Sequence, residues 1–211
     1  MAIKNKRPPR KESVGAQYIC FAQPGESGEW TGLFEEDVER TAVVKTVTVT
    51  ENSESTDVYA SGEVYDTDTS VAADDIEVEV VAFPADTIAR MRAATIGTGG
   101  LVKDGAPKAR PFFAYGKIVM LKNGNYKYEW YPKCKLKENS DEAATREESS
   151  SEQNDTITIS AYGFDAEGHK KNYVDSTMES FPEGITEDKF FGKPIVTDED
   201  LASAISGGGQ K

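Results

Sequence analysis

Apolar and polar residues alternate with a period of two along several stretches of the chain. The clearest stretch runs through Ile76, Val78 and Val80, with Glu77 and Glu79 between them. Alternation of this kind places one side of a β-strand against a core and the other toward solvent or a neighbouring molecule. Similar alternation, or a run of β-branched residues, covers residues 41–50, 58–65 and 156–161. The pattern predicts a mainly β protein, a β-sandwich or barrel of about eight strands.

The clearest predicted hairpin covers residues 111–135. Two aromatic runs, FFAYGKIVML and YKYEWYPKCKL, flank the pair Asn123-Gly124. Both residue types tolerate the positive φ that a tight hairpin turn requires. A second turn, over residues 165–168, lies between AYGF and Tyr173, so we expect the last core strands to pair locally as well.

One flanking helix is predicted after the acidic strands. Pro84 suits a first helical turn, Asp86 lies near the positive end of the helix dipole, and Arg90 and Arg92 lie toward the negative end. The glycines that begin at Gly97 end the helix and open a loop.

The polar stretches predict the domain organisation. Residues 1–13 are polar and basic, and we expect them to form a flexible N-terminal arm. Residues 14–175 are predicted to form one β-domain, interrupted by a polar loop over residues 137–153 that cannot bury itself. Residues 176–211 form a C-terminal extension whose end we expect to be flexible. No run of 18 apolar residues occurs, so we expect no membrane span.

Charge is distributed in blocks along this chain of 211 residues and net charge −13. The net charge is +5 over residues 1–11, −11 over residues 46–89, +8 over residues 90–135 and −5 over residues 137–155. Such blocks either neutralise one another within one fold or form complementary surfaces for head-to-tail contact between copies. A basic block also admits nucleic-acid binding, but the acidic block here is larger.

The sequence offers little catalytic or metal-binding chemistry. His169, near Asp165 and Glu167, lies in a predicted turn, where histidine is usually a solvated surface residue. Cys20 and Cys134 lie in apolar or aromatic stretches and are expected to be buried, reduced thiols. We therefore predict that the protein is not an enzyme and holds no metal or cofactor.

Two glycine- or acid-rich stretches do not change this interpretation. The glycine loop over residues 97–100 lacks the Lys-Ser/Thr pair that a phosphate-binding loop requires. Residues 66–68, Asp-Thr-Asp, resemble half a calcium loop without its glycine and distal glutamate.

Residues 106–136, APKARPFFAYGKIVMLKNGNYKYEWYPKCKL, resemble the central hairpin of the major tail tube proteins of long-tailed, siphovirus-type phages of Gram-positive bacteria. The polar stretch that follows and the return strand TITISAYGF, residues 156–164, are similar in order and spacing. The resemblance covers roughly residues 15–175. It implies a β-sandwich with a flanking helix, and subunits that assemble into stacked, hexameric rings.

The resemblance also implies partners and a location. The partners are other copies of the chain, a tape measure protein, tail tip and terminator proteins, and double-stranded DNA that passes through the lumen without specific binding. The expected location is the virion tail, assembled in the host cytoplasm. Terminal arms bridge rings in this family, so Lys4, Lys6, Arg7, Arg10 and Lys11 are candidate inter-ring contacts.

Glu77 and Glu79 are candidate lumen-facing residues. They share one side of a predicted strand, and carboxylates that line a conduit would repel DNA phosphates and leave the DNA mobile. A position on the outer surface remains an alternative. Two other functions also stay open: a tube subunit of a phage-derived bacteriocin or injection machine, and an Ig-like binding module.

Overall fold

The computed structural model describes the backbone of residues 7–60, 63–140 and 154–207, and the side chains of these residues outside 54–71. The described strands are β1 (Lys11–Phe21), β2 (Glu39–Thr41), β3 (Val44–Thr50), β4 (Ser53–Ala60), β5 (Glu63–Val71), β6 (Asp74–Val80), β7 (Thr95–Ile96), β8 (Val102–Lys103), β9 (Phe113–Leu121), β10 (Asn125–Ser140), β11 (Asp155–Ala161) and β12 (Asn172–Asp175). The helices are α1 (Ala85–Met91), α2 (Glu187–Phe191) and α3 (Asp198–Ser206).

The main feature is an eight-stranded sheet in the order β2-β1-β9-β10-β11-β6-β3, with β12 also paired to β10. The pairs β1–β2, β1–β9, β10–β11, β10–β12 and β11–β6 are antiparallel. The pairs β4–β5 and β7–β8 form two separate two-stranded sheets. The prediction of a mainly β fold of about eight strands with a flanking helix is confirmed. None of the helices in the described ranges is long and apolar enough to cross a membrane.

The predicted hairpin is present as β9 and β10. Asn123 and Gly124 both have positive φ, 68° and 74°, as the Asn-Gly pair predicts. The predicted helix is α1, whose N-cap is Pro84. The helix ends at Met91, with Arg92 as its C-cap, rather than at the glycines from Gly97, because Ala93 has a positive φ of 57° and Thr95–Ile96 form β7. Local signals therefore predicted the turn and the start of the helix but not the end of the helix.

Two strands extend into segments that the sequence predicts to be polar and irregular. β1 begins at Lys11, within the predicted arm, because Lys11 and Ser13 pair with Leu121 and Met120 of β9. β10 continues to Ser140, into the predicted polar loop, because Glu138, Asn139 and Ser140 pair with β11. The rest of that loop, residues 141–153, and arm residues 1–6 lie outside the described residues.

The chain divides into two compact units. Unit one comprises Met1–Val44, Phe113–Pro132 and Lys171–Lys211, and unit two comprises Lys45–Phe112 and Lys133–Lys170. Strand β10 contributes its first residues to unit one and its last residues to unit two.

The core of unit one is aromatic. Helix α2 places Phe191 flat on Tyr18 of β1, with ring centroids 3.9 Å apart, and Trp130 of β10 donates from Nε1 to the Phe190 carbonyl at 2.9 Å. Gly116 of β9 leaves room for these rings, since a Cβ there would lie 2.9 Å from Phe191. The aromatic packing holds the short helix α2 against the sheet.

Two helices in the C-terminal extension were missed by the sequence prediction. Thr186 caps α2 and Thr197 caps α3, the latter in a capping box with Asp200. In each case the threonine side chain accepts a hydrogen bond from the backbone N–H three residues later, and the sequence contains this N-cap residue type. Helix α2 spans five residues, too few for a periodic apolar pattern, whereas the capping box and the spacing of Leu201 and Ile205 were signals from which α3 could have been predicted.

Candidate functional site

The sheet in unit two has one buried and one open face. On β6, Ile76, Val78 and Val80 are fully buried, whereas Glu77 is exposed and Glu79 half-buried. The predicted placement of both glutamates on the face opposite the apolar residues is therefore correct. The structure contains no second copy of the chain, so the lumen position of this face stays a prediction.

Three neighbouring strands contribute to this open face, which we call the striped face. Its members are Lys133, Lys135 and Lys137 of β10, Thr156, Thr158 and Ser160 of β11, and Asp75, Glu77 and Glu79 of β6. Strand register sets the order of the stripes, because Ser160 lies between Lys135 and Asp75 in the paired strands. The register shift in β10 after Leu136 also places Glu138 opposite Thr158, so the face carries lysines and Glu138 on β10, hydroxyl groups on β11 and acids on β6.

The lysine stripe was not found from the sequence. Lys133, Lys135 and Lys137 alternate with buried Cys134 and Leu136, so a period of two was available as a signal. The sequence does not show which strands are adjacent in the sheet. The register of β11 between β10 and β6 brings the lysines of β10 and the acids of β6 onto one surface.

Asp75 links the two charged stripes. Lys137 Nζ lies 2.9 Å from Asp75 Oδ2, Asn52 Nδ2 donates to the same oxygen at 3.2 Å, and Ser160 Oγ donates to Oδ1 at 3.2 Å. The hydrogen bond from Lys137 is the main cause that holds the pKa of Asp75 below its ordinary value. Asp75 is consequently ionised throughout the neutral range and neutralises Lys137.

The remaining charges of the face differ in how they are held. Lys135 Nζ lies 3.9 Å from the centroid of the Phe112 ring, a cation–π contact. Asn154 Nδ2 donates to Glu79 Oε1 at 2.6 Å. Glu77 is the most exposed acid of β6. The face therefore presents acid to solvent while two of its lysines are engaged within the same unit.

The described arm residues Arg7, Arg10 and Lys11 are exposed. Lys122 N donates to the Arg10 carbonyl at 2.9 Å, which fixes the backbone where the arm enters β1. Lys4 and Lys6 lie outside the described residues. In the described part of the arm, the basic side chains are exposed to solvent, and the backbone at Arg10 is held by strand β9's neighbour Lys122.

The residues considered for catalysis lie on the surface. His169 Nδ1 is 2.5 Å from Asp165 Oδ2, and the histidine side chain is 57% exposed. The hydrogen bond to Asp165 raises the pKa of His169 above its ordinary value. Cys20 and Cys134 are buried thiols, as predicted. Within the described ranges, no cluster of three or more metal-ligating side chains is arranged to hold a metal ion.

Unit one carries a second charged cluster, which lies inside the fold. Lys117 Nζ of β9 is 3.3 Å from Glu129 Oε2 of β10, and Lys127 Nζ is 2.7 Å from Glu129 Oε1. Burial lowers the pKa of Lys117. Burial alone would raise the pKa of Glu129, but the two lysines outweigh it and hold that pKa below its ordinary value. The carboxylate is shared by two cations and is structural.

Comparison with known proteins adds no further identification. No protein-family model matches the chain, and no curated protein matches it.

Proposed function

We propose that this chain is the structural subunit of a phage tail tube, which assembles with copies of itself into stacked rings that conduct DNA. The observation that carries the proposal is the resemblance of residues 106–136, and of the return strand after them, to the central hairpin of major tail tube proteins. Strands β9, β10 and β11, which carry these segments, are neighbours in the sheet. The proposed role is mechanical, with no catalytic step.

The striped face supports the proposal through its electrostatics. A DNA conduit must not bind phosphates tightly, because each lysine or arginine contact adds affinity and slows sliding. Lys137 is neutralised by Asp75, and Lys135 is held over Phe112. Glu77 projects from the same face and is exposed. A surface of this kind repels DNA weakly and offers it few anchoring cations, which suits a lumen.

The basic arm supports contact between rings. Arg7, Arg10 and Lys11 are exposed and lie at the start of β1, where they are available to an acidic surface on another copy. Because these side chains are exposed, they contribute little to the core of their own unit and suit contact with a neighbouring copy. The proposed partners beyond the ring remain those that the resemblance implies: the tape measure protein and the tail tip and terminator proteins.

Sedimentation and light scattering of the purified chain test this proposal. We expect particle mass to rise with protein concentration, because ring and stack contacts are repeated and obey mass action. Some tube subunits wait for an initiator, so a tail tip extract is the appropriate second condition. A strict monomer at high concentration in both conditions, across salt concentrations, contradicts the proposal and favours the Ig-like binding module.

A further inference from the structure

The β7–β8 hairpin of unit two exposes apolar side chains. Ile96 and Val102 are partners across the hairpin and are 54% and 47% exposed, and the adjacent Leu101 is 66% exposed. Every residue from 95 to 109 is exposed. Single exposed apolar residues are ordinary, but a contiguous group marks an interaction site.

A cleft lies beside this hairpin. It has a volume of about 350 Å³, and its lining combines the apolar Phe83, Ala85, Ile88 and Val102 with the acids Asp104 and Asp155. The ion pair between Arg92 Nε and Asp104 Oδ2, 2.6 Å apart, stands at its edge. The cleft is large enough to accept an aliphatic side chain together with part of an aromatic ring.

The hairpin and the segment after it, which lie beside the cleft, are basic, whereas in the cleft itself Arg92 is paired with Asp104 and Asp155 adds an acid. Residues 90–110 contain five lysines and arginines and one acid, a net charge of +4. Lys103 and Lys108 lie on the exposed hairpin and the segment after it. The electrostatically suited occupant is therefore an acidic segment that carries an exposed apolar side chain.

The chain itself contains such a segment, in unit one. Residues 23–38, which we call the acidic loop, contain five acids and no lysine or arginine. Leu33 in this loop is 62% exposed. Glu26, Glu29, Glu36 and Asp37 are exposed around it.

The acidic loop holds Leu33 in a fixed conformation. Gln23 N donates to the Leu33 carbonyl at 2.9 Å, and Gln23 Nε2 donates to the Phe34 carbonyl at 2.8 Å. The Trp30 ring packs edge-on against Phe34 with centroids 5.4 Å apart. A loop already ordered in this way loses little conformational entropy when it docks.

We propose that the acidic loop of one copy docks on the cleft of a second copy. Leu33 enters the cleft between α1 and the β7–β8 hairpin, and the acids of the loop face Lys103 and Lys108. The two surfaces are different, so the contact is heterologous and each copy uses both, which generates rings or open stacks. This inference rests on the proposed function, because it names the surfaces that join neighbouring subunits.

Cysteine crosslinking between two single variants tests the contact. Purified Leu33→Cys and Val102→Cys proteins are mixed, oxidised and resolved on a non-reducing gel. We expect a crosslinked dimer in the mixture and much less in either protein alone, because the proposed contact joins Leu33 of one copy to Val102 of another. The natural cysteines are buried and do not interfere. Met120→Cys mixed with Leu33→Cys is the matched control, since Met120 is 42% exposed and lies outside both surfaces.

Charge exchange tests the complementarity separately. Adding Lys103→Glu and Lys108→Glu to the Val102→Cys protein should lower the crosslinking rate about tenfold, because like charges would then face each other. Adding Glu36→Lys and Asp37→Lys to the Leu33→Cys partner should restore most of the rate. Lys122→Glu with Lys193→Glu, two exposed positions elsewhere, should change it little.

The outcomes separate this contact from the proposed function. Assembly of the unmodified chain without a mixed crosslink overturns the contact and leaves the tube proposal standing. A mixed crosslink in a chain that forms only dimers would show that the two surfaces meet reciprocally in a closed pair, which overturns both the ring-forming contact and the tube. Equal crosslinking of each variant alone overturns the heterologous contact, as does an equal rate loss in the Lys122 and Lys193 control.

Discussion

Strand β9 in unit one and strand β6 in unit two bury their side chains in different patterns. In β9, eight of nine residues are buried, so both sets of alternate side chains lie away from solvent. In β6, Ile76, Val78 and Val80 are buried while Glu77 is exposed. Both faces of strand β9 in unit one are therefore covered, whereas one face of strand β6 in unit two is exposed and can contact other molecules.

Charge follows the same division. In unit one, Lys117 and Glu129 are 7% and 5% exposed and form part of the interior. In unit two, the charges of the striped face lie in solvent or at its edge. Unit two also buries an ion pair, Asp74 with Lys170, so the units differ in the open striped face rather than in the presence of buried charge. The predictions below test that division.

The largest effect is expected when the shared carboxylate of unit one is removed. Glu129→Ala leaves Lys117 and Lys127 close together without their acid, and we expect the free energy of unfolding to fall by about 3–5 kcal/mol. Glu138→Ala, an exposed acid on the same strand, should change it by less than about 0.5 kcal/mol. Chemical denaturation measures both, and similar losses would show that Glu129 is not specially stabilising.

A smaller loss is expected from filling the space at Gly116. The Cβ of Gly116→Ala would lie 2.9 Å from Phe191 and 3.0 Å from Trp130, so the rings that hold α2 must shift. Overpacking of this kind costs about 1–3 kcal/mol. Gly99→Ala is the control, because a Cβ there meets nothing within 4 Å. Equal stability of the two variants would mean that α2 is not held by close packing.

Alkaline pH should weaken unit one through its tyrosines. Burial, followed by the hydrogen bond with Glu187, raises the pKa of Tyr18 to about 12, and burial also raises the pKa of Tyr128. Because the folded pKa is the higher one, their contribution is fully present below pH of about 10 and is lost as pH rises through the folded value.

Phenolate absorbance checks this directly. In the native protein, Tyr18 and Tyr128 should ionise well above the ordinary tyrosine range, and stability measured in parallel should fall from about pH 10 upward. Tyr18→Phe should remove part of this pH dependence. Simultaneous ionisation of all tyrosines in the folded protein would contradict the burial-based explanation.

The smallest effect on stability is expected on the striped face. Replacing Glu77 and Glu79 by lysine should change stability by only about 0.5 kcal/mol for each exposed position, with Glu79 also losing its bond from Asn154. Assembled protein should instead gain salt-sensitive DNA binding, measured by cosedimentation. The control is Glu183→Lys with Glu199→Lys, two exposed acids of unit one. Equal DNA binding by both variants would argue against a lumen position.

Local signals predicted much of the fold but not the site. The Asn123-Gly124 turn and the start of helix α1 follow from a few adjacent residues. The striped face depends on strand register between segments about 25 and 80 residues apart, as in Lys135↔Ser160 and Ser160↔Asp75, and register over such distances is not encoded locally. The burial of Lys117 could not be predicted from the sequence either, because it depends on which distant segments pack against strand β9.

Negative-stain electron microscopy of the purified chain tests the tube assignment most directly. The protein is imaged over a range of concentrations, with and without a tail tip extract. The account predicts rings or hollow tubes of uniform diameter, since one heterologous contact repeated around an axis fixes a single ring size. Isolated particles of monomer size under every condition, or irregular aggregates without a central channel, would contradict it.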